Sequence, residues 1–295
     1  MKPDPAGRPQ APQLAITRWR DGEWSAAEDR LAAEEPLQLA LSGTPLSIVM
    51  RTPGNDLELA LGLLWAERVI TALDQVRGVR ISAEAGEVES RVALRADLIE
   101  SNRIDLELDP GLRLPERSFM QSSACGVCGA TTVESLALDF AALGPGPALD
   151  PTLLPVLAQR LRAAQGLFEQ TGGLHAAGLF DAAGELLILR EDIGRHNAVD
   201  KVVGRALLDG LLPASTGVLV VSGRGGYELA QKAVAAGIPI LAAVGAPSSL
   251  AVATARRFGL TLVGFLRDGR FNIYSAPERL TSGHLPGTGR IETLR

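Results

Sequence analysis

Three near-continuous apolar runs, at 218–221, 238–244 and 260–266, constrain this chain most. Each is short, rich in Val, Ile and Leu, and separated from the next by an amphipathic stretch of helical period. Strands that are apolar on both faces are strands covered on both faces, the mark of a parallel sheet between helical layers. The same alternation predicts further strands at 176–180, 186–189 and 271–274, and helices at 197–208, 227–236 and 249–258. A single long amphipathic helix is expected over 152–170, with Leu153, Val156, Leu157, Leu161, Ala164 and Phe168 on one stripe. Asp268–Gly269 between the last two strands is a strong hairpin signal. The second half is therefore expected to be a three-layer α/β domain.

The first half has a different texture. Short alternating runs at 14–19, 37–41, 46–50, 79–82, 88–94 and 104–108 read as strands. Between them Leu57, Leu61, Leu64 and Trp65 fall at helical spacing, with Asn55 or Asp56 as N-cap. This half reads as a smaller α+β domain. The expected division is a disordered tail over 1–13, the α+β domain over 14–115, the α/β domain over 116–280, and a C-terminal tail over 281–295. A helix capped by Thr131 or Thr132 is expected to run through Leu138.

Composition narrows the function classes. A net charge of −5 over 295 residues argues against a nucleic-acid binder that relies on an overall positive field. The opening MKPDPAGRPQAPQ has no apolar h-region, and the longest apolar run, around 57–66, is too short to span a bilayer. No membrane association and a cytoplasmic location are expected. The chain has two cysteines, Cys125 and Cys128, in a C-x-x-C flanked by Gly126 and Gly129. Closing so short a loop removes little entropy from the unfolded chain, so a structural disulfide is a poor explanation. The spacing suits thiol exchange, sulfur transfer or half of a metal site.

Other candidates lie in loops after strands, where open α/β sheets gather ligands. Ser222–Gly223–Arg224–Gly225–Gly226 leads into a helix and could receive an anion, although it meets neither the dinucleotide nor the P-loop pattern. Ser248 stands at another helix start, where simple capping also explains it. Arg267 and Arg270 flank the hairpin turn and could clamp a phosphate or a guanine. Arg51, just before a helix, is a further, weaker anion candidate. His175 and His196 sit at element boundaries; Asp192 could orient the His196 imidazole, and Asp200 lies one turn further on. Cys125 and Cys128 with either histidine could make three zinc ligands. A base deaminase would need H-x-E followed by P-C-x-x-C, and His175 is followed by two alanines with the cysteines upstream, which argues strongly against deaminase chemistry.

The segments SSACGVCGATTVESL, TGGLHAAGLFDAAGELLILREDIGRHNAVDKVVG, VVSGRGGYELAQKAVAAGIPILAAVGAPSSLAV and GLTLVGFLRDGRFNIYS, with EEPLQLALSGTPLSIVMRTPGNDLELALGLLWAE before them, resemble the FdhD/NarQ family of formate dehydrogenase accessory sulfurtransferases. The resemblance covers nearly the whole chain apart from its ends. It implies a cytidine-deaminase-like α/β domain behind a smaller domain, and a tendency to form homodimers. It implies an enzyme that takes persulfide sulfur from a cysteine desulfurase and passes it to the molybdenum cofactor, bis-molybdopterin guanine dinucleotide, bound as acceptor before insertion into apo formate dehydrogenase. It puts the persulfide on Cys125, with Cys128 in support, and cofactor contacts on Phe265, Leu266, Arg267, Asp268, Gly269 and Arg270. Ser222, Gly223, Arg224, Ser248, His175 and His196 are the further expected contacts, and no resident metal is expected. Two other readings stay open: a chaperone that only binds the cofactor, and a zinc-dependent hydrolase.

Overall fold

The computed structural model describes residues 10–82, 102–112, 140–267 and 269–281. Cys125, Cys128, Asp268, the expected strand at 88–94 and the expected helix through Leu138 lie outside the described residues. The chain begins with a hairpin of β1 (Gln13–Arg20) and β2 (Glu23–Arg30), turned at Asp21–Gly22 and paired from Gln13–Arg30 to Arg20–Glu23. β2 was not anticipated. EWSAAEDR lacks the apolar alternation of a half-buried strand, and all but one of its residues are exposed. Backbone pairing with β1, rather than burial, makes it a strand.

β3 (Glu35–Leu41) and β4 (Thr44–Arg51) form a second hairpin. They join β5 (Val76–Ser82) and β6 (Arg103–Leu108) in a sheet ordered β4-β3-β6-β5. Helix α1 (Asp56–Ala66) is buried almost all round: only Trp65 of its residues keeps partial exposure. That follows from its position. One side packs on the four-stranded sheet through Leu57, Leu61 and Leu64, and the other lies against the α/β half.

In the α/β half, α2 (Leu153–Ala164) and α3 (Gly166–Thr171) precede β7 (His175–Phe180) and β8 (Leu186–Asp192). Then come α4 (Arg195–Leu208), β9 (Val218–Val221), α5 (Tyr227–Ala235), β10 (Ile240–Ala243), α6 (Ser249–Phe258), β11 (Thr261–Arg267) and β12 (Arg270–Ser275). The sheet order is β12-β11-β10-β9-β7-β8. β9, β10 and β11 are parallel, as their continuous apolar runs demand, and β7, β8 and β12 are antiparallel. α4, α5 and α6 cover one face around Val199, Leu219, Leu241 and Leu262. α2 covers the other through Leu154, Leu157 and Leu161, against Val218, Val220, Ile240 and Val263. The three-layer expectation stands.

One element differs. The single helix expected over 152–170 is two, broken at Gln165, whose ψ of 76° leaves the helical region. The apolar stripe crosses the break, so periodicity alone did not show it. The glycine after Gln165 did weaken the helical pattern. No helix among the described residues is long and apolar enough to cross a membrane.

Candidate functional site

Because β7 is antiparallel to β9 and β8 to β7, the start of β7 and the end of β8 share one edge with the carboxyl ends of β9, β10 and β11. The starts of α4, α5 and α6 follow these strand ends, so one edge gathers most of the expected loops. Backbone hydrogen bonds join them: Gly245 N–H donates to Gly223 O at 2.9 Å, Gly225 to Ala246 at 3.2 Å, Ser248 to Gly225 at 3.1 Å and Phe265 to Gly245 at 3.0 Å. The amides of Gly225 and Gly226 are thus engaged, which lowers the capacity of this loop as an anion nest.

On the α2–α3 side of this edge lies a pocket of about 770 Å³, within the range that buries a nucleotide-sized ligand. Of the expected residues, His175, Ser222, Leu266, Arg267 and Gly269 line it. Ser222 is fixed there, since its Oγ accepts the Ala176 N–H at 2.8 Å while its own N–H donates to Ala176 O. Burial lowers the His175 pKa, the nearby Arg195 and Arg224 charges add to this, and Asp192 opposes them. The ring is neutral at neutral pH and can both donate and accept. The charged groups on the lining are Arg162 and Arg267, and no carboxylate lines the pocket among the described residues. Walls of Leu161, Leu174 and Val244 with cations at the polar side suit an anionic ligand that has an apolar or planar body.

The other wall was not foreseen. Arg162, Gln165 and Phe168 come from α2, the break and α3. The Phe168 position is set from β8: Glu191 accepts the Leu167 N–H at 2.9 Å and the Phe168 N–H at 2.7 Å, capping α3 from a neighbouring strand. The Arg162 guanidinium lies over the Phe168 ring, 4.5 Å from its centroid. The sequence put Phe168 on a core stripe; only the break frees it to face a cavity.

Several expected residues lie elsewhere. Gly223, Arg224 and Arg270 are on the same edge but do not line the pocket. Ser248 Oγ accepts the Ala251 N–H at 3.2 Å and caps α6. Phe265 sits at a bulge between β11 and β12 with φ of 54°, and it is exposed. A bulky residue in the left-handed region stores about 1–3 kcal/mol, a kind of strain that clusters at ligand sites.

His196 lies on the other face, and Asp192 does not orient it. Its Nε2 meets Glu228 Oε2 at 3.1 Å, a pair that bridges the first turns of α4 and α5. Asp192 is instead engaged by Lys201 and Asn197, while Asp200 takes Lys232 Nζ at 2.6 Å. Burial, then the Arg195 and Lys232 charges, push the His196 pKa down to about 3, and burial raises that of Glu228. The neutral imidazole therefore donates Nε2–H to the carboxylate. A folded pKa below the ordinary 6.5 means that the unfolded chain takes up this proton first. The His196 contribution to stability is complete above pH 6.5 and declines as pH falls toward 3. Asp200, raised to about 6 by burial, works the other way in the overlapping window from 3.8 to 6. His196→Gln should flatten the acid limb of thermal stability between pH 6.5 and 4. An unchanged slope in parallel melts would refute this assignment.

Arg51 is not an anion site either. Its guanidinium is buried and gripped by Asp56, with Nε to Oδ1 at 2.9 Å and Nη2 to Oδ2 at 2.7 Å.

Known proteins resemble this chain along most of its length. A sulfur carrier protein FdhD of Streptomyces avermitilis is 48% identical over 275 residues, covering 90% of this chain and 94% of that one. One from Sulfolobus acidocaldarius is 40% identical over 271 residues, covering 92% and 99%. The crystal structure of a formate dehydrogenase accessory protein from Desulfotalea psychrophila superposes with a TM-score of 0.73 at 26% identity, covering 92% of this chain and all of that one. Residues 32–281 match the FdhD/NarQ family, and the chain belongs to it.

Proposed function

We propose that this chain is a sulfurtransferase that carries persulfide sulfur on Cys125 from a cysteine desulfurase to the molybdenum cofactor, in its bis-molybdopterin guanine dinucleotide form, before insertion into formate dehydrogenase. The observation that carries the reading is the pocket at the carboxyl ends of β9–β11. It is large, apolar-walled, cationic and without a carboxylate among the described residues, which suits a planar ligand bearing phosphates. Relatives named as sulfur carriers and a neighbour described as a formate dehydrogenase accessory protein support the same direction.

The chemistry is thiol exchange. The Cys125 thiolate attacks the terminal sulfur of a donor persulfide; a new S–S bond forms, and the donor cysteine leaves as thiolate. Attack by the Cys128 thiolate on Cys125 Sγ then releases the carried sulfur as hydrosulfide for the acceptor and leaves a Cys125–Cys128 disulfide. A cellular dithiol resets that disulfide by reduction. The acceptor is substrate here. Arg267 and Ser222 hold its phosphates and sugar hydroxyls, and Gly269 gives the backbone a close approach. A cytoplasmic homodimer is part of the proposal.

Incubating the full chain with a cysteine desulfurase and cysteine should add one sulfur atom by intact mass, and Cys125→Ala should abolish the adduct. In cells lacking the endogenous protein, the same variant should lower formate dehydrogenase activity by orders of magnitude. Loss of the adduct with full activity would instead favour a chaperone that binds the cofactor without carrying sulfur.

A further inference from the structure

The β1–β2 hairpin is a sheet of its own, joined to neither larger sheet, and no residue of either strand is buried. It is fastened to the α/β half at its open end, where Arg30 Nη1 donates to Gln170 Oε1 of α3 at 2.7 Å. At its turn end Trp19 and Trp24 are 57% and 72% exposed. Their rings meet edge to face with centroids 6.4 Å apart, and neither joins a hydrophobic core among the described residues. A two-stranded ribbon alone in water is marginally stable at best, and large apolar side chains exposed together mark an interaction surface. Directly paired residues share a face. Gln13–Arg30, Ala15–Glu28, Thr17–Ala26 and Trp19–Trp24 therefore make one face, on which Glu28 and Arg30 are the only charges. Arg18, Arg20, Glu23 and Asp29 stand on the other.

We propose that a second copy of the chain docks on this tryptophan face, with two hairpins packed face to face about a two-fold axis parallel to the strands. The inference rests on the homodimer in the proposed function and assigns its interface. Charge complementarity favours this occupant. The axis lays β1 of one protomer over β2 of the other, so Trp19 meets the partner's Trp24, Thr17 the partner's Ala26, Ala15 the partner's Glu28 and Gln13 the partner's Arg30. No like charges face each other. The face is neutral, with one acid and one base, so a strongly charged partner finds no counter-charge on it. The exposed parts of four indoles bring about 600 Å² of the roughly 1,200 Å² that a small specific interface buries. Ala15, Thr17, Ala26 and the stems of Gln13, Glu28 and Arg30 lie beside them to supply the rest.

The test is sedimentation equilibrium of the full chain and of three variants, Trp24→Ser, Ala26→Asp and Ser25→Asp. Ala26 and Ser25 are exposed neighbours on one strand that point to opposite faces. Ala26→Asp buries a carboxylate at the two-fold contact, and Ser25→Asp puts the same group in solvent. Wild type should dimerise. Trp24→Ser and Ala26→Asp should each weaken the dimer about 100-fold or more, as loss of a central aromatic anchor does. Ser25→Asp should stay within about threefold of wild type, and that control separates a lost interface from a weakened hairpin. Tryptophan emission of wild type should shift to the red on dilution through the dissociation constant, as Trp19 and Trp24 return to water. A dimer as tight in Ala26→Asp as in wild type would overturn the inference and leave the homodimer standing. Equal weakening by Ala26→Asp and Ser25→Asp would overturn it too. A monomeric wild type would remove the homodimer from the proposed function, and the inference with it, without touching sulfur carriage on Cys125.

Discussion

Gly62→Ala should cost about 3 kcal/mol or more, at the upper end of what one added methyl does in a packed interior. α1 and α4 cross so closely that a Cβ at Gly62 would lie 1.9 Å from the backbone oxygen of Asp200, and one at Gly204 would lie 1.8 Å from that of Glu58. The contact is reciprocal. Each helix offers a carbonyl at one position and a glycine four residues later, Glu58 and Gly62 on α1, Asp200 and Gly204 on α4. Neither oxygen is at the end of a flexible side chain, so the helices themselves must separate. Separation opens the buried layer shared by the two halves, where Leu207 of α4 packs with Leu57 and Leu61 of α1. Alanine would return only about 1 kcal/mol through its better helix propensity, so the clash wins. The loss should appear as a fall in Tm of roughly 6–12 °C. A variant within a degree of wild type would show that the crossing is looser than described.

The second large effect is expected at Asp192. This carboxylate is wholly buried and accepts from four groups: Lys201 Nζ at 2.7 Å, Thr52 N–H at 3.2 Å, Gly194 N–H at 2.8 Å and Asn197 Nδ2 at 2.9 Å. Thr52 follows β4 of the four-stranded sheet, so the carboxylate ties that sheet to the start of α4. Asn197 extends the tie through Met50 O, and Lys201 through Thr52 O at 2.8 Å. Asp192→Ala leaves the Lys201 ammonium buried without its counter-charge, which costs about 3–5 kcal/mol. Lys201→Met alone should cost a comparable amount. The double variant should recover part of the loss, since no unpaired charge then remains. Strictly additive losses in denaturant melts would argue against a direct pair.

The network around Asp192 shows where local reading stops. From the chain, Asp192 stands four residues before His196, and a role orienting the imidazole follows from that proximity. In the fold, the carboxylate meets Thr52, just after β4, and Asn197 and Lys201 of α4, and His196 turns toward Glu228, 32 positions away. Lys201 and Lys232 gave no sign of their partners, because an ion pair between elements leaves no period in the sequence. Arg51 is similar. Its place before a helix suggested an anion, but the acid it meets is the first residue of that helix.

What the sequence by itself determined was set by near neighbours and by solvent. The apolar runs of β9, β10 and β11 require cover on both faces, and three layers follow. Asp21–Gly22 and the Arg267–Arg270 turn fix hairpins through local backbone preference. The family resemblance, carried by GRHNAVDK and the C-x-x-C segment, identified the chain, and the loops after the strands gave one wall of the pocket. The tertiary structure decided the other wall. Residues 152–170 have the period of one helix, and the one local hint of an end at Gln165, the glycine after it, weakens a helix without breaking it. Packing α2 on the sheet while Glu191 of β8 holds the first amides of α3 accompanies that break. A helix interruption stabilised by a strand more than twenty residues later depends on contacts that exist only after the chain has folded.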